Sequence, residues 1–96
     1  MNAYLILDLS INNFERFREY IEKIPSFIKK HGGKYIVQGV APEVIEGDWC
    51  PERIVILEFP SSENARAFLS DPEAQLLFAI RHQSATSRLI LAIGCD

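Results

Sequence analysis

Cysteine is scarce in this chain: Cys50 and Cys95 stand far apart, with no CxxC pair and no neighbouring cluster of Cys and His. That usage excludes a disulfide scaffold, a zinc knuckle and a thioredoxin-like redox pair. Long apolar runs are missing as well. No stretch approaches the roughly 18 consecutive apolar residues of a membrane span. The N-terminal run is broken by Asp8 and has no basic segment before it, so no secretory signal is expected. A cytoplasmic setting with both thiols reduced is the default reading. A cationic excess is lacking too: ten basic residues face thirteen acidic ones, for a net charge of -3, which gives nothing to gather nucleic acid or anionic lipid. Also absent are GxSxG, a phosphate loop, a dinucleotide fingerprint and any basic-aromatic stripe for single strands.

What is there is apolar. Of 96 residues, 48% are hydrophobic, enough for one small domain over residues 1–96. A chain this short buries only a little over roughly 60% of its unfolded surface when it folds alone, so the apolar content points to a second subunit that completes the core.

The periodicities give the elements. Residues 3–9 alternate and predict a first strand, with Leu5, Leu7 and Leu9 in one phase and Tyr4, Ile6 and Asp8 in the other. Asn12, three residues before Glu15, predicts a helix start, and Phe14, Phe17, Ile21, Ile24 and Ile28 form one stripe at helical spacing. Pro25 predicts a kink or restart, and Gly32-Gly33 an end. Residues 34–38 read as a second strand, resuming across 43–46, with Gly39 as a candidate bulge. Residues 53–59 are the clearest strand. Ser61 and Ser62 offer a cap for a short helix, Asp71-Pro72 opens another, and residues 88–93 form the last strand. The order β-α-β-β-α-β makes this an α+β chain of ferredoxin-like type, a four-stranded antiparallel sheet with both crossovers on one face. The uncovered face should then alternate to polar. Neither phase does: one holds Leu5, Leu7, Leu9, Val55, Leu57, Phe59, Leu89, Leu91 and Ile93, the other Tyr4, Ile6, Ile36, Ile54, Ile56 and Ile90, and the expected cover is a second copy in a homodimer.

Gly32-Gly33-Lys34-Tyr35, Glu46-Gly47-Asp48-Trp49 with Pro51 and Arg53, Glu58-Phe59-Pro60-Ser61, Ala65 and Ile80-Arg81 together resemble the DUF1330 family of the dimeric α/β-barrel superfamily. The resemblance runs from Tyr4 to Gly94. It implies a ferredoxin-like protomer whose sheet faces a partner sheet, and it implies no activity. Superfamily relatives include heme-degrading and quinone-forming monooxygenases and small-molecule isomerases that hold a ligand between sheet and helices. This chain has Gln38 where the family commonly has Arg, Val40 for a second Gly, Leu69 for Trp or Tyr, and Ala74 for Tyr, each exchange removing a polar or aromatic handle.

The candidate site is assembled on that basis. Asp8 and Glu58 share the phase assigned to Gln38, so two carboxylates converging in an apolar pocket are candidates for moving a proton; the alternative is pairing with Arg88 and Lys34. Arg81 ends the last helix and matches the family's Arg; its planar fork suits a carboxylate or enolate oxygen, and the alternative is a salt bridge to Glu58 or Asp48. Trp49 and Tyr35 are read as an aromatic wall, against a loop anchor that packs Trp49 on the partner. His82 is a candidate substrate contact, while His31 reads as a surface residue. Cys50 is weighed as a reactive thiol without a predicted activating neighbour. No metal site and no cofactor are expected, since no ligand spacing and no well-placed axial His occur. The function expected is binding of a small aromatic or carbonyl metabolite, with cofactor-free monooxygenase- or isomerase-like turnover as its extension. The competing reading is a dimerisation module without turnover.

Overall fold

Alternating burial along the strands sets the architecture. The computed structural model describes residues 1–95. Its elements are β1 (Ala3–Ile11), α1 (Phe14–Lys30), β2 (Lys34–Val40), β3 (Arg53–Phe59), α2 (Ser62–Ser70), a 3-10 turn (Pro72–Ala74), α3 (Gln75–Ser84) and β4 (Ala85–Ile93). The sheet order is β2-β3-β1-β4, antiparallel throughout. This is the ferredoxin-like arrangement expected from the element order.

Local chemistry fixes the helix ends. The start of α1 is capped by Asn13, whose side chain accepts from the Arg16 amide at 3.1 Å, one residue later than the expected Asn12. The shift follows from β1 running on to Ile11 and from the Asn12 and Asn13 amides both donating to the Ser84 carbonyl. Pro25, which is exposed, does not restart the helix: α1 runs unbroken through it from Phe14 to Lys30. Gly32, at φ 80, turns the chain out of α1. Ser61 caps α2, and Asp71 caps the 3-10 turn that leads into α3. Residues 43–46, expected to resume the second strand, form an irregular loop, and β4 begins at Ala85, earlier than expected.

Cross-strand register sorts the side chains into rows. On the helix-covered face, Tyr35, Leu57, Leu5 and Leu91 make one row, and Gln38, Val55, Leu7 and Leu89 the next. Leu5, Leu7, Leu9, Leu57 and Phe59 of this face are buried against Phe17, Tyr20, Ile24 and Ile28 of α1, Phe68 of α2 and Ile80 of α3. On the bare face, Val37, Ile56, Ile6 and Ile90 form a central apolar row. Ile90 there is 60% exposed. Of two register shifts in β2, the first, between Tyr35 and Val37, flips the phase of Val37 and Gln38, and the second, between Gln38 and Val40, flips it back. Gly39, at φ 74, supplies the backbone conformation for the second shift. Ile36 falls in the first and stays exposed. No helix among the described residues is long and apolar enough to cross a membrane.

Candidate functional site

A cavity of about 280 Å³ lies between the sheet and α1. Leu5, Leu7, Val55, Leu57 and Leu89 form its floor, and Tyr20, Ile24 and Phe68 line the helix side. Its exposed lining residues, Phe14 and Ile21 on α1 with Gln38 and Arg53 on the sheet, mark the mouth. The helical stripe of α1 is therefore divided: Phe17, Tyr20, Ile24 and Ile28 are buried, while Phe14 and Ile21 flank an opening. Tyr20 stands at the same three- and four-residue spacing from Phe17 and Ile24 as Ile21 does from its neighbours, and that spacing was the available signal for it.

Arg81 is buried at the inner wall of this cavity, 6% exposed. One terminal nitrogen donates to the Tyr20 hydroxyl at 3.2 Å, and the other approaches His82 Nε2 at 3.4 Å. The guanidinium also lies over the Tyr20 and Phe78 rings, 5.6 and 5.4 Å from their centroids. It makes no ion pair among the described residues, and its buried Nε has no hydrogen-bond partner. The salt bridge to Glu58 or Asp48 weighed for it is not formed within the protomer. The partial negative charge at the C-terminal end of α3, where Arg81 sits in the last turn, offsets part of its desolvation. Tyr35 faces the same cavity, and burial, with a smaller contribution from Tyr20, pushes its hydroxyl up to about 12, so it stays protonated.

The sheet divides Asp8, Glu58 and Trp49 from Arg81. Asp8 and Glu58 project from the bare face, in different rows: Tyr4 is the partner of Glu58, and Ile54 that of Asp8. Neither lines the cavity. Gln38 does, because the first shift in β2, between Tyr35 and Val37, carries it to the helix-covered face and out of the phase expected for it. Asp8 accepts from Trp49 Nε1 at 3.0 Å and from Arg88 at 2.7 Å, and these contacts hold its carboxyl below the usual carboxylate range, that to Trp49 most. Glu58 pairs with Lys34 at 3.5 Å and accepts from the Tyr4 hydroxyl at 2.9 Å, a contact that raises the phenol. The pairings weighed as alternatives for both carboxylates are thus present. Trp49, 56% exposed, lies with Asp8 on the bare side and forms no wall with Tyr35. His82 is exposed on α3 and touches the site only through Arg81.

One polar cluster was not anticipated. Asp71, 4% exposed, accepts from Lys30 Nζ and contacts His31 Nε2, each at 2.8 Å, and takes the Glu73 amide at 3.0 Å. Lys30 first, then His31, holds the Asp71 carboxyl far below the carboxylate range. The cluster ties the end of α1 to the α2–α3 junction, so His31 is not the free surface residue expected. Its partners lie some forty positions apart in the chain, and no local pattern announces them. Both cysteines are exposed and unpaired. Among the described residues no three His, Cys, Asp or Glu side chains gather to hold a metal ion.

Solved structures share this fold, and three illustrate the likeness. A protein of unknown function from Rhodopseudomonas palustris superposes with a TM-score of 0.79 at 20% identity, over 99% of this chain and 83% of that one. SnoaB, a cofactor-independent oxygenase from Streptomyces nogalater, gives 0.70 at 14% identity, over 99% and 94%. A dimeric ferredoxin-like protein of unknown function from Jannaschia gives 0.70 at 9% identity, over 98% and 100%. No curated protein matches the chain. The resemblance noted in the sequence holds over residues 2–95, nearly every residue that builds the sheet, the helices and the cavity between them, and the chain is a member of the DUF1330 family, a domain of unknown function.

Proposed function

We propose that the protein is a homodimer joined through its bare sheet faces, in which each protomer binds a small aromatic or carbonyl metabolite in the cavity beneath α1. The observation that carries the reading is the buried Arg81 facing an apolar void with no carboxylate beside it. Burying an unpaired cation costs several kcal/mol on the order-of-magnitude scale for such groups, and a ligand oxygen is what this one lacks. Arg81 orients that oxygen; Tyr35 and Gln38 shape the wall and the mouth. Asp8, Glu58 and Trp49 serve the rim of the bare face, and His82 supports Arg81 from outside. The likeness to a cofactor-independent oxygenase supports turnover without a cofactor as the enzymatic form of this reading.

Dimerisation rests on the central row of Val37, Ile56, Ile6 and Ile90, and on the dimeric ferredoxin-like neighbour. Closing that face against a copy buries on the order of 1,000 Å² or more, the size of a specific interface. The same row favours the second reading, a dimerisation module whose cavity is only a packing defect.

Thermal shift against a panel of aromatic acids, quinones and β-diketones separates the two. A member that raises the melting temperature of the wild type, with the gain lost in the cavity-filling Val55→Trp variant while the dimer persists in sedimentation, supports metabolite binding. A panel that shifts neither protein supports the module.

A further inference from the structure

The cavity's charge runs against that of the chain. The protein carries a net charge of -3, yet two arginines and no carboxylate line the cavity: Arg81 at the inner wall and Arg53 at the mouth. Arg53 already donates to the Gly39 carbonyl at 3.2 Å. Arg81 has its Nε–H unspent. Tyr20 accepts from Arg81 through its hydroxyl oxygen, and that hydroxyl's own proton is given to no described group. Tyr35 contributes a second hydroxyl that stays protonated and is engaged by no described side chain or backbone atom. The polar inventory of the inner cavity is therefore a guanidinium and two hydroxyls with protons unspent, and no anionic acceptor.

A cationic site without an anion, set in an apolar void, discriminates by charge. An anionic oxygen there accepts charge-assisted hydrogen bonds in low dielectric, whereas a neutral group of equal shape collects weaker ones and leaves the guanidinium unneutralised. We infer that the cavity takes its ligand as a monoanion, an apolar body ending in one ionised acidic group, read by the Arg81 guanidinium with the Tyr20 and Tyr35 hydroxyls. The volume of about 280 Å³ suits a body of on the order of a dozen non-hydrogen atoms, near the lower end of small-molecule sites. This rests on the proposed metabolite binding and adds the ligand's charge state and the part of Tyr20. Carboxylates and acidic phenols or enols share the required chemistry.

Calorimetry with the full chain at neutral pH compares phenylbutyrate with its primary amide, which matches it in shape and lacks the charge. The acid is expected to bind about tenfold more tightly or better, the effect of one charge-assisted hydrogen bond. Tyr20→Phe should cut the acid's affinity several-fold and leave the amide's unchanged; Arg81→Met should erase the preference. For the phenol arm, para-nitrophenol reports its own ionisation by absorbance, and its midpoint should fall by about one pH unit or more on binding. A midpoint that rises instead is what an uncharged apolar cavity produces. Preference in either arm upholds the inference and says which acid is favoured. Equal binding of acid and amide, together with a raised nitrophenol midpoint, overturns it while metabolite binding stands. No binding by acid, amide or phenol overturns both.

Discussion

On the helix-covered face Arg81 is buried with no anion beside it, whereas on the bare face Asp8 stands against Arg88 and Glu58 against Lys34. Both faces are apolar at their centres, so hydrophobicity alone does not tell them apart. Their treatment of charge does. The bare face keeps its ions paired at either end of a greasy row, the pattern of a contact surface with a polar rim. The covered face leaves one cation unmatched inside a void. A surface built for another protein surface and a cavity built for a solute thus sit back to back, separated by one layer of backbone.

The contrast breaks most visibly in its central row. Ile6→Asp places a carboxylate amid Ile56 and Ile90, and in a closed dimer that uncompensated charge costs about 3–5 kcal/mol. Sedimentation at micromolar concentration should show monomers. A dimer that survives means the bare face is not the interface. Phe59→Ala, which removes a fully buried ring tilted against Phe68, should cost about 3–5 kcal/mol in urea unfolding whether or not the dimer forms. It calibrates the core against the interface.

The covered face gives a finer test. Arg81→Met keeps similar bulk and removes a buried cation that no carboxylate neutralises, so the free protein should be as stable as the wild type or up to about 1–2 kcal/mol more so. A marked loss of stability would mean that the contacts to Tyr20 and Phe78, rather than a ligand, are the reason for the guanidinium.

Asp71 supplies a control in which burial is compensated. Its carboxyl is depressed in the folded state, so the unfolded chain takes up the proton first as pH falls. The stability it contributes is complete above the ordinary aspartate range and is lost progressively as pH drops from about 4 toward its lower folded value. Asp71→Asn should flatten that acid limb in urea titrations, and a limb of unchanged slope would place acid sensitivity elsewhere. The smallest effect is expected at Asp8. Trp49 is the chain's one tryptophan, and its emission should titrate with Asp8 at a midpoint below the usual carboxylate range and lose that transition in Asp8→Asn.

Strand phases were legible because burial alternates with a period of two residues, a local property: Leu5, Leu7 and Leu9 against Tyr4, Ile6 and Asp8 divide as the pattern predicts. The caps at Ser61 and Asp71 were legible for the same reason. Gln38 was not. Its face depends on the shift in pairing with β3 at Ile36, which leaves no mark in composition, unlike the later one at Gly39. Reading β2 as regular puts Gln38 with the carboxylates and mixes residues from both faces into one site. Arg81 was found by type and position, yet what distinguishes it, the lack of an anion, depends on everything that does not come near it. Tyr20 lay on the helical stripe and was passed over for Ile21. The Lys30, His31 and Asp71 cluster joins residues distant in sequence and had no signal at all.

The bulged β2 has one more consequence, because it is an edge strand of the sheet. A regular exposed edge is a template on which foreign strands add without limit, the starting point of fibrous aggregation. Two interruptions within seven residues deny an incoming strand any continuous ladder along β2. The irregularity that carries Gln38 into the cavity therefore also guards this edge, steering self-association away from open-ended growth and toward a closed pair.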